Sequence, residues 1–192
     1  MNYKSLNLEK LKSDLKKRLS KKRFVHSLGV LKVATKLAKK NMADTKKAKI
    51  SALLHDFAKP LSENKVKYYA KKSDFKIDSI ELKIPAVLHA PAAAFLVKEY
   101  YGIIDMEILE AIRFHTIGNP KMKKIALIIF VSDFIEPNRD FPGIDYLRNI
   151  AENKSLSDLV VAVCNQSIEY NLTRNNIIHP YTLLLRNEYL GG

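Results

Sequence analysis

Side chains able to bind a metal recur along this 192-residue chain at His26, at the adjacent pair His55–Asp56, and at His89, His115 and Asp133. The steps between them are 29, 33, 26 and 18 residues, so no single loop can gather them. Imidazole nitrogens and carboxylate oxygens are the donors that hold borderline first-row divalent metals in water-accessible sites. Four or five separate segments must converge for these donors to share a cation. Asp133 gives the strongest reason to expect convergence. It follows the seven-residue apolar run Ile125–Val131 and then Ser132, which places a carboxylate close to a core. An unpaired charge there is expensive, and a cation or strong hydrogen-bond donors must offset it.

Helical periodicity supplies the segments. Leu8, Leu11, Leu15 and Leu19 fall on one stripe of a helix whose other faces are rich in lysine. Phe24, Leu28, Leu31, Ala34 and Ala38 repeat the pattern in a second helix ending near Lys40–Asn41. A third runs from about Thr45 to His55 with Asp44 as its N-cap, so the His–Asp doublet stands at its end. Pro60 marks Asp56–Leu61 as a loop, and Glu63–Lys72 reads as a short polar helix. Asp74, Asp78 and Pro85 break any pattern between Ser73 and Ile84. Pro91 suits the first turn of a helix that reaches Tyr101 and stops at Gly102, with His89 just before it. Asp105 caps the next, through Phe114, His115 follows it, and Gly118–Asn119–Pro120 is a turn. Further helices are expected at about Lys121–Phe134, Gly143–Asn153, Ser155–Asn171 and Pro180–Leu190; Ser155 and Asp158 have the spacing of a capping box. Without alternating β-branched stretches, repeats or a linker, the chain reads as one all-α domain.

Composition narrows the function classes. The longest apolar run is far short of the ~20 residues a membrane span needs, and no apolar leader follows the basic N-terminus. A cytoplasmic protein without a membrane partner is the expectation. Cys164 is the only cysteine, which excludes an intrachain disulfide, and its neighbours Leu159, Val160 and Val163 suggest a buried, inert thiol. The glycines form neither a P-loop nor a dinucleotide-binding fingerprint. Lys and Arg total 33 against 20 Asp and Glu, and residues 1–49 hold 16 basic and 3 acidic residues, the whole excess of +13. A local basic face of this kind attracts polyanions, although lysine is also the ordinary choice for a solvated helix face. His179, just before Pro180 and away from the other histidines, suits a structural role.

Arg23-x-x-His26, His55–Asp56 followed by Lys59, then His89, His115–Thr116 and Asp133 together resemble the HD superfamily of metal-dependent phosphohydrolases. The stretches LLHDFAKP, AIRFHTIGNPKM, SDFIEPNRDFPGIDYLR and IHPYTLLLRN are similar to the YqeK family, the HD-type symmetrical bis(5'-nucleosyl)-tetraphosphatases. The likeness implies an HD-type helical bundle over residues 22–190; residues 1–21, outside the likeness, are expected to form a basic helix packed on that domain. It also implies hydrolysis of diadenosine tetraphosphate to two ADP, with dinucleoside polyphosphates and ADP or GDP as ligands. The family pattern makes His26, His55, Asp56 and Asp133 the ligands of one metal. His89 and His115 complete a second site, with Asp56 bridging. Iron is the implied metal, while the donor types also suit manganese, cobalt or zinc. Two cations suit phosphoryl chemistry because a hydroxide between them can attack while both neutralise phosphate oxygens.

Asp56, Lys59 and Arg139 are then expected to carry the chemistry. Lys59 is close enough to Asp56 to reach a bound phosphate. Arg23 shares a helix face with His26, and Arg139, in the turn after Asp133, offers a bidentate phosphate contact. The resemblance adds the Thr116 hydroxyl and the Gly118 amide to the phosphate-binding set. The chain departs from the family at Ile117, where members often carry Thr, and at Ser132, where they often carry Ala. A homodimer is compatible with the sequence.

Two other readings stand beside this one. An HD-type nucleoside monophosphate phosphatase or cyclic-nucleotide phosphodiesterase keeps the same donors and changes the substrate. A non-catalytic nucleotide- or RNA-binding protein draws on the basic segment. Nucleic acid is the weaker partner, because Tyr3 and Phe24 are the only aromatics within residues 1–49 and cannot form a stacking platform.

Overall fold

The computed structural model describes residues 3–190, and among them there is no β-strand. Ten α-helices carry the described residues: α1 Leu8–Arg18, α2 Lys21–Lys40, α3 Thr45–Leu54, α4 Glu63–Lys71, α5 His89–Tyr101, α6 Met106–Phe114, α7 Lys124–Ile135, α8 Ile144–Asn153, α9 Leu156–Leu172 and α10 Pro180–Tyr189. Side-chain caps fix several starts. Asp44 accepts from the amides of Lys46 and Lys47, Asp105 from those of Glu107 and Ile108, and Ser155 forms the full capping box with Asp158.

Helix α7 is buried continuously from Ile125 to Ser132, the mark of a helix enclosed on all sides. Helices α2, α3, α6, α8 and α9 surround it. A second apolar cluster lies around α1, α5 and the outer sides of α3 and α6. Helix α3 serves both cores: Ala48 and Ala52 join the cluster of α7, whereas Ile50, Leu53 and Leu54 face the other. The His55–Asp56 doublet therefore sits where the two cores meet.

Residues 1 and 2 of the basic N-terminal segment lie outside the described residues. The remainder is no loose appendage, because Leu11, Leu15 and Leu19 of its leucine stripe are buried in the second cluster. Arg18 places its guanidinium 4.0 Å above the Phe57 ring and donates from Nε to the Phe57 carbonyl at 3.0 Å. Helix α1 thus clasps the turn that carries Asp56.

The structure revises three boundaries. Helix α5 begins at His89, two residues before Pro91; the first backbone amides of a helix have no internal acceptor, so proline fits at the third position without loss. Helix α7 begins at Lys124 and not Lys121, because the Asn119 side chain accepts from the Lys121 amide at 2.9 Å and holds a turn there. The segment without a pattern forms two 3₁₀ turns, Glu81–Lys83 and Pro85–Val87. Tertiary contacts pin it: Glu81 and Arg113 pair at 2.7 Å, both 1% exposed, and His179 bonds Asp78 at 2.9 Å.

Among the described residues no helix is long and apolar enough to cross a membrane. Cys164 is fully buried on α9, and burial raises its thiol pKa to about 12. The folded protein should therefore stay silent to a disulfide reagent such as dithionitrobenzoate, and one thiol per chain should react after denaturation. Rapid reaction of the native protein would contradict this placement.

Candidate metal centre

Five segments bring the six predicted donors together. His26 lies in the second turn of α2, His55 and Asp56 directly follow α3, His89 opens α5, His115 follows α6, and Asp133 lies in the last turn of α7. The Nε2 atoms of His26 and His55 are 3.2 Å apart, and those of His89 and His115 are 3.0 Å apart. Asp56 Oδ1 stands between the pairs, 3.2 Å from His89 Nε2 and 3.8 Å from both His55 and His115 Nε2. Asp133 Oδ1 lies 3.0 Å from His26 Nε2. Three overlapping triplets, His26–His55–Asp56, His55–His115–Asp133 and Asp56–His89–His115, each hold their donor atoms within 4.8 Å of one another.

The outer nitrogens decide the tautomers. Nδ1 of His55, His89 and His115 each lies 2.7 Å from the carbonyl oxygen three residues earlier, on Ala52, Ala86 and Ile112. A carbonyl only accepts, so each Nδ1 carries the hydrogen and each neutral ring turns a lone pair inward at Nε2. Burial lowers the pKa of His89 and holds His115 well below the ordinary histidine range, which disfavours a proton between them. Two lone pairs facing each other at 3.0 Å need a cation between or beside them. A divalent metal fits this donor set.

The carboxylates are prepared for the same cation. Burial works against charge on both, yet the positive charge that His55, His89 and His115 bring to the cluster when protonated, the place a metal cation would take, holds Asp56 well below the usual carboxylate range. His26, His55 and Arg139 do so for Asp133.

A cavity of about 810 Å³ opens onto the cluster, and Arg23, Lys59, Thr116 and Arg139 line it. Lys59 is half-buried and its ammonium makes no hydrogen bond or salt bridge among the described residues; burial lowers its pKa, against the pull of Asp56. The Thr116 hydroxyl is buried without a partner. Arg23 reaches to 3.5 Å from Asp56. Two expectations change. The Gly118 amide is not free for phosphate, because it donates to the Phe114 carbonyl at 2.9 Å and closes the end of α6. Arg139 already uses one edge internally, Nε on the Asp133 carbonyl at 2.9 Å and Nη2 on Asp133 Oδ1 at 2.5 Å, so that edge cannot grip phosphate while the pair stands.

The HD domain model matches residues 23–138. The chain belongs to the HD domain family. Among curated relatives, the symmetrical bis(5'-nucleosyl)-tetraphosphatase of Bacillus subtilis is 35% identical over 97% of this chain and 100% of its own length. The enzyme of the same name from Halalkalibacterium halodurans is 38% identical over 92% of this chain and 93% of its own. The crystal structure of a predicted HD superfamily hydrolase involved in NAD metabolism from Clostridium acetobutylicum superimposes with a TM-score of 0.89 at 33% identity, covering 96% of this chain and 97% of that one.

Within this HD fold, the residues that orient the donors escaped the sequence reading. Glu136 is buried and accepts from His26 Nδ1 at 3.2 Å, and its other oxygen takes the amide and the side-chain nitrogen of Asn138, each at 2.8 Å. A carboxylate on the outer nitrogen of a liganding imidazole fixes the ring and raises its basicity. Gly29 makes room for it, since a Cβ there would collide with Glu136 Oε2. Arg148 holds the whole turn by donating to the carbonyls of Ile135, Glu136 and Arg139. The one available signal was a glycine inside a helical pattern, which marks a packing need.

A second group, Asp78, Glu81 and His179, also falls within 4.8 Å. Most of its polar atoms are occupied: His179 Nδ1 accepts from the Tyr181 amide at 3.1 Å, so Nε2 donates to Asp78, and Arg113 neutralises Glu81 through Oε2, leaving Oε1 buried without a hydrogen-bond partner. This group ties the irregular segment to α10.

Glu136→Gln and Gly29→Ala should each weaken metal affinity by about 10–100-fold, although alanine is the better helix former at position 29 by about 1 kcal/mol. Competitive chelation measures both, and wild-type affinity in Gly29→Ala would contradict the packing argument. Affinity should also fall on acidification. Burial disfavours a proton on His26, but Asp133 and Glu136 outweigh it and raise the pKa, so protonation competes with metal from above the ordinary histidine range downward. A flat affinity from neutral to mildly acidic pH would contradict this sign.

Proposed function

We propose that this chain is a symmetrical bis(5'-nucleosyl)-tetraphosphatase that hydrolyses diadenosine tetraphosphate to two ADP in the cytoplasm, with two iron ions. The observation that carries the reading is the meeting of four imidazoles and two carboxylates at the floor of one cation-lined cavity. His26, His55, Asp56 and Asp133 would hold one ion, and His89 and His115 the other, with Asp56 shared. When bound, the cations supply an activated water and neutralise phosphate oxygens.

The chain's own groups supply the rest. Lys59, an ammonium without an internal partner, stabilises charge growing on the departing phosphate. The leaving group is a nucleoside diphosphate, whose terminal phosphate is only weakly basic near neutrality (second pKa ~6 for related phosphates). No strong general acid is required. Thr116 offers a hydroxyl, Arg23 a charge at the cavity edge, and Arg139 both restrains Asp133 and borders the phosphate path.

A binding role for RNA finds less support. Much of the basic excess is engaged within the protein: Lys36 pairs with Glu152, Lys47 with Asp105 and Glu107, and Lys40 donates to three backbone carbonyls of residues 151–154.

His55→Ala and Asp133→Ala should lose bound metal and activity together, as metal analysis beside a turnover assay will show. Lys59→Ala should keep its metal and turn over about a hundredfold more slowly. With the wild type in oxygen-18 water, one of the two ADP molecules formed per event should carry the label. Formation of AMP and ATP would refute symmetrical cleavage.

A further inference from the structure

Two smaller cavities, each about 250 Å³, share walls with the metal cavity. One adjoins Lys59 and His89 and has aliphatic walls with a single carboxylate, Glu63; it contains no aromatic ring besides His89. The other shares Phe134, Arg139 and Phe141 with the metal cavity and adds Gln166 and Tyr170 from α9. Among the described residues, Phe134 and Phe141 are the only rings besides the imidazoles that line the metal cavity, and both belong to this shared wall.

The second side cavity has the chemistry of a slot for a flat heterocycle. Phe134 and Phe141 meet edge to face, with centroids 6.2 Å apart and planes at 87°. Tyr170 is half-exposed, and Arg174 stacks on its ring at 4.0 Å. Among the described residues the Gln166 amide has no hydrogen-bond partner. It lies against Gly143, whose φ of +92° and missing side chain leave the space; a Cβ there would come within 2.8 Å of Gln166 Oε1. A primary amide presents a donor and an acceptor side by side, the complement of the amino group and ring nitrogen on one edge of adenine. Arg139 stands between the slot and the metal ligands, where a chain of phosphates leading from a nucleoside would pass.

We propose that this slot is the nucleobase subsite: the purine stacks against Tyr170 and Phe141, Gln166 reads its edge, and the phosphates run past Arg139 to the metal centre. The proposal rests on the nucleotide hydrolase reading above and assigns Phe141, Gln166 and Tyr170 as specificity determinants of that reaction.

The test is calorimetric titration of the metal-loaded full chain with ADP and, separately, with inorganic pyrophosphate. Tyr170→Ala should weaken ADP about tenfold, as for loss of one base-stacking ring, and Gln166→Ala severalfold, while pyrophosphate binding and metal content stay at wild-type levels. Both side chains are at least partly exposed and hold no core together, and a thermal melt checks that the variants fold. Unchanged ADP affinity in both variants, or equal losses for ADP and pyrophosphate, would overturn the subsite. A turnover assay on diadenosine tetraphosphate separates the two conclusions. Wild-type KM in both variants removes the subsite and leaves the hydrolase reading intact. A selective loss of ADP in a protein that never cleaves the tetraphosphate upholds the subsite and removes the hydrolase reading.

Discussion

Two imidazoles, His89 and His115, turn lone pairs toward each other at the buried floor of the metal cavity, and the architecture around them follows from that demand. Such an arrangement is unfavourable where burial limits solvation unless a positive charge joins it. The fold holds the rings in place without supplying that charge. His55 and His115 use the same device: each is the residue just past a helix, and its Nδ1–H closes onto a carbonyl of the final turn, on Ala52 or Ile112. Those carbonyls would otherwise lack an acceptor's partner, because the last four of any helix point beyond its end. One hydrogen bond therefore finishes the helix, selects the tautomer and aims the opposite nitrogen. Helix ends are good places for such histidines for this reason, and not merely because they lie near the surface.

The two cores serve this aim from opposite sides. Helix α3 divides its small residues and its large ones between them, so that its end is gripped on both flanks. Helix α7, apolar on every side, sinks Asp133 deep enough for its charge to be governed by neighbours and not by water. Arg139 and His26 then share one oxygen of that carboxylate, which balances its charge and turns it toward the cluster. The cationic rim of the cavity and the anionic cluster beneath it are thereby stitched together by a single side chain.

Much of this was legible in the residues. The apolar periods locate α1 and α2, and the caps at Asp44, Asp105 and Ser155 stand where their side chains predict, because these are local effects of neighbouring groups. The ordered histidines and aspartates pointed to the centre because no bland structure needs donors at that spacing. What stayed hidden depends on distance in the chain. Nothing near Glu136 reveals that it meets His26, and nothing near Gly29 reveals that its bare backbone faces Glu136. The shape of residues 73–88 rests on Arg113, which pairs with Glu81, and on His179, which bonds Asp78; neither partner is near in sequence. Gly118 misled for the opposite reason: an amide after a helix looks free until the geometry shows it bonded to Phe114.

The spread of the donors also sets a timetable for the newly made chain. More than a hundred residues separate His26 from Asp133, and Glu136 comes later still. A polypeptide emerging from the ribosome presents the first imidazole long before the groups that complete and orient its surroundings. At intermediate lengths it offers only partial sets, such as His55 with Asp56. The full set of donors exists only once α7 is buried and brings Asp133 and Glu136 beside His26.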